Sequence, residues 1–301
     1  MDFSKIDVPV LFIISLVCAV ANSNYRAHYV KNTMARESGI YSFNAGISLI
    51  CAISLLILSG FNVVASPYSV LFGVLFGAVG MLNSAFVTKS IEIGPFGYTT
   101  VIVNLSTALT ALSGAIFWGE SLSVFKVIGI VLMMASFYFA IDKENDNGKK
   151  ANKVWFLLSM LSLLTCAMVG IMQKIYQSSV YKGELTGFLL VAFLTSAMLS
   201  SGWYLRKKKC ETAIEEKEKK SNTFLPFLIA VLICGIGAAG NNILNLYLSG
   251  VTETAIFFPI VNGVPLLTNL LVAFLIFKEK LKPKQLIGFF MGIVAIICLF
   301  I

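Results

Sequence analysis

Apolar residues fall in ten runs along the chain, near residues 8–28, 40–60, 67–89, 95–118, 123–141, 154–175, 185–205, 224–248, 254–277 and 283–301. Each run approaches the roughly 20 residues that a helix needs to cross the hydrocarbon core of a bilayer. Charge or turn chemistry fills the breaks, as in NTMARESG, SGFNVVASP, DKENDNGKK and RKKKCETAIEEKEKK. No barrel-type alternation of period two runs through them, so the pattern predicts helices, whose backbones satisfy themselves inside lipid. The expected fold is an all-α membrane protein with ten transmembrane helices. Composition supports this: 57% of residues are hydrophobic and 13% charged, against about a quarter charged in soluble domains.

Residues 8–18 could serve as the apolar core of a signal peptide, with Ala19-Val20-Ala21 as a cleavage site. The leader MDFSKID is not basic, however, and the first run has a counterpart in the second half, so we expect it to be a retained span.

The chain repeats itself. FWGESLSVFKVIG (117–129) returns as IFKEKLKPKQLIG (276–288), and GAVGMLNSAF (77–86) as GIGAAGNNIL (235–244). The register sets Gly77 on Gly235, Asn83 on Asn241, Glu120 on Glu279 and Gly129 on Gly288. Phe12-Ile13-Ile14-Ser15 matches Phe156-Leu157-Leu158-Ser159 more loosely. Two repeats of five spans follow, over 1–145 and 146–301. An odd number of spans turns the second repeat over in the membrane, giving the inverted-topology 5+5 arrangement of secondary transporters.

Lysine and arginine set the orientation. Four of the 23 basic residues, Lys5, Lys126, Lys174 and Lys182, fall on one side, and the other 19 fall in the loops after odd-numbered spans. Positive charge stays in the cytoplasm, so both termini are expected outside a cytoplasmic (inner) membrane. This asymmetry accounts for the net charge of +8 without a nucleic-acid partner. Five of the six cysteines lie in apolar runs and Cys210 in a cytoplasmic loop, which points to packing rather than disulfides or zinc.

Ten spans, a five-plus-five repeat, and Gly119-Glu120-Ser121-Leu122 mirrored by Lys278-Glu279-Lys280-Leu281 resemble the EamA-type branch of the drug/metabolite transporter superfamily. Lys278 stands where the pattern favours glycine. The resemblance covers essentially the whole chain. It implies movement of small metabolites through a central cavity lined by spans 1, 3, 4, 6, 8 and 9.

Asparagines concentrate in those spans: Asn22 and Asn24 in the first, Asn83 in the third, Asn104 in the fourth, Asn241, Asn242 and Asn245 in the eighth, and Asn262 and Asn269 in the ninth. An amide inside a span either bonds a neighbouring helix or faces a polar cavity. As a set they suit a polar neutral or zwitterionic solute, because amides both donate and accept. Tyr25, Tyr98 and Phe258 are candidate aromatic walls. Pro259 and Pro265 in span 9 are expected to kink or interrupt it, as at transporter substrate sites. No acid lies mid-span, which argues against simple proton antiport and for facilitated diffusion or exchange. Glu120 and Glu279 are expected to cap or solvate short turns.

The candidate solute site is therefore Asn22, Asn24, Tyr25, Asn83, Tyr98, Asn104, Asn241, Asn245, Phe258 and Asn262, with no catalytic residues, metal or cofactor. The expected partners are a small-molecule solute and membrane lipids. Gly73-x-x-x-Gly77 and Gly288-x-x-x-Gly292 allow close helix approach, within the chain or in a homo-oligomer. Arg26, Lys89 and Lys174 could instead serve a sugar-phosphate or anion exchanger, and a lipid-linked-sugar flippase is a further alternative. With one histidine (His28) and no mid-span acid, a membrane enzyme is disfavoured, and a non-transporting scaffold leaves the polar patterning unexplained.

Overall fold

The computed structural model describes residues 3–33, 37–94, 96–140, 152–211, 224–275 and 282–301. They fold almost entirely into helices: α1 (Val8–Thr33), α2 (Glu37–Leu58), α3 (Pro67–Ile93), α4 (Phe96–Asn104), α5 (Ser106–Trp118), α6 (Val124–Ala140), α7 (Lys153–Gln177), α8 (Leu185–Glu211), α9 (Phe224–Val251), α10 (Thr254–Leu275) and α11 (Pro283–Leu299). With α4 and α5 read as one segment, these are the ten expected spans, and no strand occurs among the described residues. Seven segments are long and apolar enough to cross a bilayer, and three shorter apolar helices accompany them. Ile13, Ile57, Ile116 and Phe117 are each more than 60% exposed, as lipid-facing side chains are.

The chain divides into two compact units, each drawing on both sequence repeats. One comprises Met1–Met81 with Ser179–Asn245, the other Leu82–Ser178 with Leu246–Ile301. In the first unit α2 packs along α8, where Ser48 donates to the Ser196 hydroxyl at 3.3 Å and Tyr41 stacks on Trp203. Glycine makes the approach of α3 to α8 possible: a Cβ at Gly73 would sit 2.8 Å from the Phe188 carbonyl oxygen, and one at Gly77 would collide with the Ala192 carbonyl. Its repeat counterpart Gly235 lies against Ile50 of α2 and accepts the Cys51 thiol at 3.1 Å. Gly73 and Gly77 therefore serve contacts within the chain.

In the second unit α6 packs along α11. Gly129 faces Ala295 and Leu299, while Gly288 comes against the Ala140 backbone. Ser136 ties the pair by donating to the Gly288 carbonyl at 2.7 Å. The matched glycines of the repeated ending thus pack the last helices of the two repeats together.

The connections are capped locally. Gly119 adopts φ +63°, and its N–H returns to the Gly114 carbonyl, a left-handed helix end that glycine reaches without steric cost. Asn152 caps α7 by accepting from the Trp155 N–H at 2.7 Å. Glu184 accepts from the Ser66 N–H at 2.8 Å and the Ser69 hydroxyl at 2.5 Å, holding the start of α3.

Span 9 is not interrupted. α10 is continuous from Thr254 to Leu275 with Pro259 and Pro265 inside it. The interruption falls instead in span 4, at Leu105, whose N–H is shared between the Val101 and Ile102 carbonyls at 3.1 Å each. This is a local 3₁₀-type tightening with no proline to cause it.

Candidate functional site

In the first unit the asparagines line the contact of α1 with α9. Ser15, 1% exposed, donates to Asn245 Oδ1 at 2.6 Å, and Asn245 Nδ2 passes the chain on to Asn241 Oδ1 at 3.1 Å. Asn245 is buried, whereas Asn241 remains partly exposed. One turn further along, α9 presents Gly240 to Cys18 and Gly237 to Asn22. Asn22 Oδ1 is buried and has no hydrogen-bond partner among the described residues. Asn24 donates back to the Val20 carbonyl at 2.9 Å, and Tyr25 is half-buried. Arg26 donates through Nη2 to Asn44 Oδ1 on α2 at 2.7 Å.

The second unit holds a matching arrangement. Asn83 on α3 accepts from the Thr165 hydroxyl on α7 at 3.1 Å. Asn83 and Asn241, equivalent in the repeat, thus each bond a hydroxyl on the first helix of the other repeat. The matched serines behave alike: Ser15 meets α9, and Ser159 meets Ser90 of α3 at 2.5 Å. Beside Ser90, Thr99 accepts the Trp155 indole N–H at 2.7 Å. Asn262 is exposed and donates to Thr107 at 3.0 Å. Asn104 ends α4 partly exposed, and Tyr98 is 45% exposed. Phe258 is buried at 4% and packs on Gly170, beside Phe257.

The structure therefore brings Asn241 together with Asn245 in one unit, and pairs Asn83 and Asn262 with hydroxyls in the other. Asn242 bonds its own helix at Ala238. The side chains of His28, Asn269 and Glu279 lie outside the described residues.

The expected turn-capping role of Glu120 is also corrected. Its carboxylate is buried with Lys174 at 2.9 Å, side chains 12% and 10% exposed. It also accepts from the N–H and hydroxyl of Thr254, each at 2.7 Å, so it caps α10 rather than its own turn. Lys174 donates further to the Thr252 carbonyl at 3.0 Å. Burial pushes the Glu120 carboxyl up, but the hydrogen bonds from Thr254 and Lys174 outweigh it and hold it below its ordinary value. The Lys174 charge is thus paired within the chain. Lys126 pairs with Glu253 nearby.

Sequence reading missed Ser15, Asn44, Thr107 and Thr165 as polar partners. Ser15 could have been found from its match to Ser159. Asn44 is the only asparagine of span 2. Among the described residues no three His, Cys, Asp or Glu side chains gather as metal ligands.

Apolar helices with their polar groups paired between spans define a multi-pass membrane protein. Residues 10–141 match the EamA-like transporter family. The members of that family are transporters rather than enzymes. No curated protein matches the chain. Among solved structures it is similar to one titled "Crystal structure of protein", at 14% identity and a TM-score of 0.72, covering 97% of this chain and 98% of that one. At that identity the likeness speaks for the fold alone.

Proposed function

We propose that this protein is a secondary transporter, a facilitator or exchanger, that moves a small polar or zwitterionic metabolite across the cytoplasmic membrane by alternating access. One observation carries the reading. Asn83 and Asn241 occupy equivalent places in the two repeats, remain partly exposed, and each use only the amide oxygen in bonds among the described residues. An amide serving only as helix glue would gain from burying both of its ends. Two matched amides with donor capacity to spare suit a solute that exchanges partners as it passes. The lack of a mid-span acid supports an uncoupled or exchange mechanism.

Uptake into proteoliposomes, with and without an imposed pH gradient, tests this. Transport should persist without the gradient. Asn83→Ala and Asn241→Ala should each lower uptake about tenfold or more while the thermal midpoint stays within a few degrees of wild type. Equal loss of folding and transport would make the amides structural.

A further inference from the structure

We infer that the outward groove between α6 and α11 is a site for one anionic phospholipid, with an acyl chain in the groove and the phosphate on Lys284. The inference stands apart from the transporter reading, because it concerns a lipid-facing surface.

The glycines of α11 leave this face outward. Gly288 comes against the Ala140 backbone, and Gly292 against Leu267 and Ser136. The small-residue stripe is therefore occupied by neighbours within the chain. On the outward side, Leu132 of α6 and Leu286, Ile287, Phe290, Met291 and Val294 of α11 enclose a groove of about 390 Å3. All six are apolar, and Phe290 is 62% exposed.

Lys284, Ile287, Met291 and Val294 follow one another at spacings of three and four, so they share one helix face. Lys284 thus heads the stripe that lines the groove, and it is exposed. Lys282, the N-cap of α11, stands just before it. From Lys284 to Val294 the helix rises about 15 Å. One leaflet of hydrocarbon, half of about 30 Å, has the same depth. An apolar trough one leaflet deep with positive charge at its mouth matches an amphiphile with an anionic head. A zwitterionic lipid fills the trough equally but brings the lysines no net charge. A second copy, related by a two-fold axis along the membrane normal, would bring its own Lys284 to the same depth, cation against cation.

Photocrosslinking of the full chain in proteoliposomes tests this. The vesicles hold equal parts phosphatidylglycerol and phosphatidylcholine in both leaflets. Each lipid is added in turn as a trace probe with the same diazirine-bearing acyl chain, and peptide mapping reads where it attaches. Ile116 and Phe117 of α5, 73% and 67% exposed, report ordinary lipid contact. Relative to them, the phosphatidylglycerol probe should label residues 286–294 about fivefold or more over the phosphatidylcholine probe, as one lysine near a membrane surface can supply. Lys284→Gln should remove most of that preference, and Lys284→Arg should keep it. Val294→Trp fills the groove and should cut labelling by both probes. Lys284 and Val294 are exposed, so unfolding midpoints in detergent should match wild type. Equal labelling by the two probes would make the groove ordinary lipid contact and overturn the site, as would a preference that survives Lys284→Gln. Absence of labelling at 286–294 overturns it too, and disulfide-linked dimers gained by Val294→Cys over wild type would then assign the face to a second copy. None of these outcomes depends on solute uptake, so failure here leaves the transporter reading standing.

Discussion

Glu120 illustrates how far one side chain can reach. It stands in a turn of the repeated motif, yet its partners are Lys174 of α7 and Thr254 of α10. Removing one member of a buried ion pair strands the other charge and costs about 3 kcal/mol. Glu120→Gln should therefore lower the thermal midpoint, and Glu120→Gln with Lys174→Met should recover part of the loss. Acid titration gives a second readout. The folded carboxyl lies below its ordinary value, so the stability it contributes is fully present above the unfolded value of about 4.3 and is lost as pH falls through the folded one. The wild-type midpoint should fall through that window, more steeply than that of Glu120→Gln. The sequence identified Glu120 as a repeated residue at a span end, but a partner 54 positions away leaves no mark in hydropathy or spacing.

Helix contacts give a sharper test. Gly77 and Gly80 lie three residues apart on α3, but a Cβ at Gly77 would strike the Ala192 carbonyl while one at Gly80 meets nothing within 4 Å. Gly77→Ala should cost about 1–3 kcal/mol through overpacking, whereas Gly80→Ala should be neutral or stabilising by up to about 1 kcal/mol. Unfolding midpoints of the two variants will separate them. All ten spans were legible because hydropathy reports where lipid must be faced. Their true ends were less so. Hydropathy stops near residue 205, but α8 runs on to Glu211, where Lys208 folds over the Tyr204 ring at 5.6 Å and its charge reaches water along the same helix. The prolines of span 9 misled for a related reason. Proline removes one hydrogen bond, and neighbouring helices at membrane depth can hold the rest of the turn together.

At the scale of the molecule, charge asymmetry predicts that the ends of the chain and the loops after even-numbered spans face one compartment, and the loops after odd-numbered spans the other. Val180, 90% exposed between α7 and α8, should as cysteine react with a membrane-impermeant maleimide in intact cells. Lys153→Cys, at the exposed start of α7, should react only after permeabilisation, both on a background lacking Cys210. The reverse pattern would invert the topology. The repeat was readable from matched motifs, and the site only in part: the asparagines were visible, but which of them find hydroxyls depends on how helices of different repeats meet. That exchange of partners has a consequence for biosynthesis. Ser15 precedes its amide partner Asn241 by 226 residues. At about 5–20 residues per second, α1 waits on the order of 10–50 s after its own synthesis before α9 leaves the ribosome. Until then its hydroxyl needs a temporary companion, and the insertion machinery must keep the newborn helix from settling into lipid on its own.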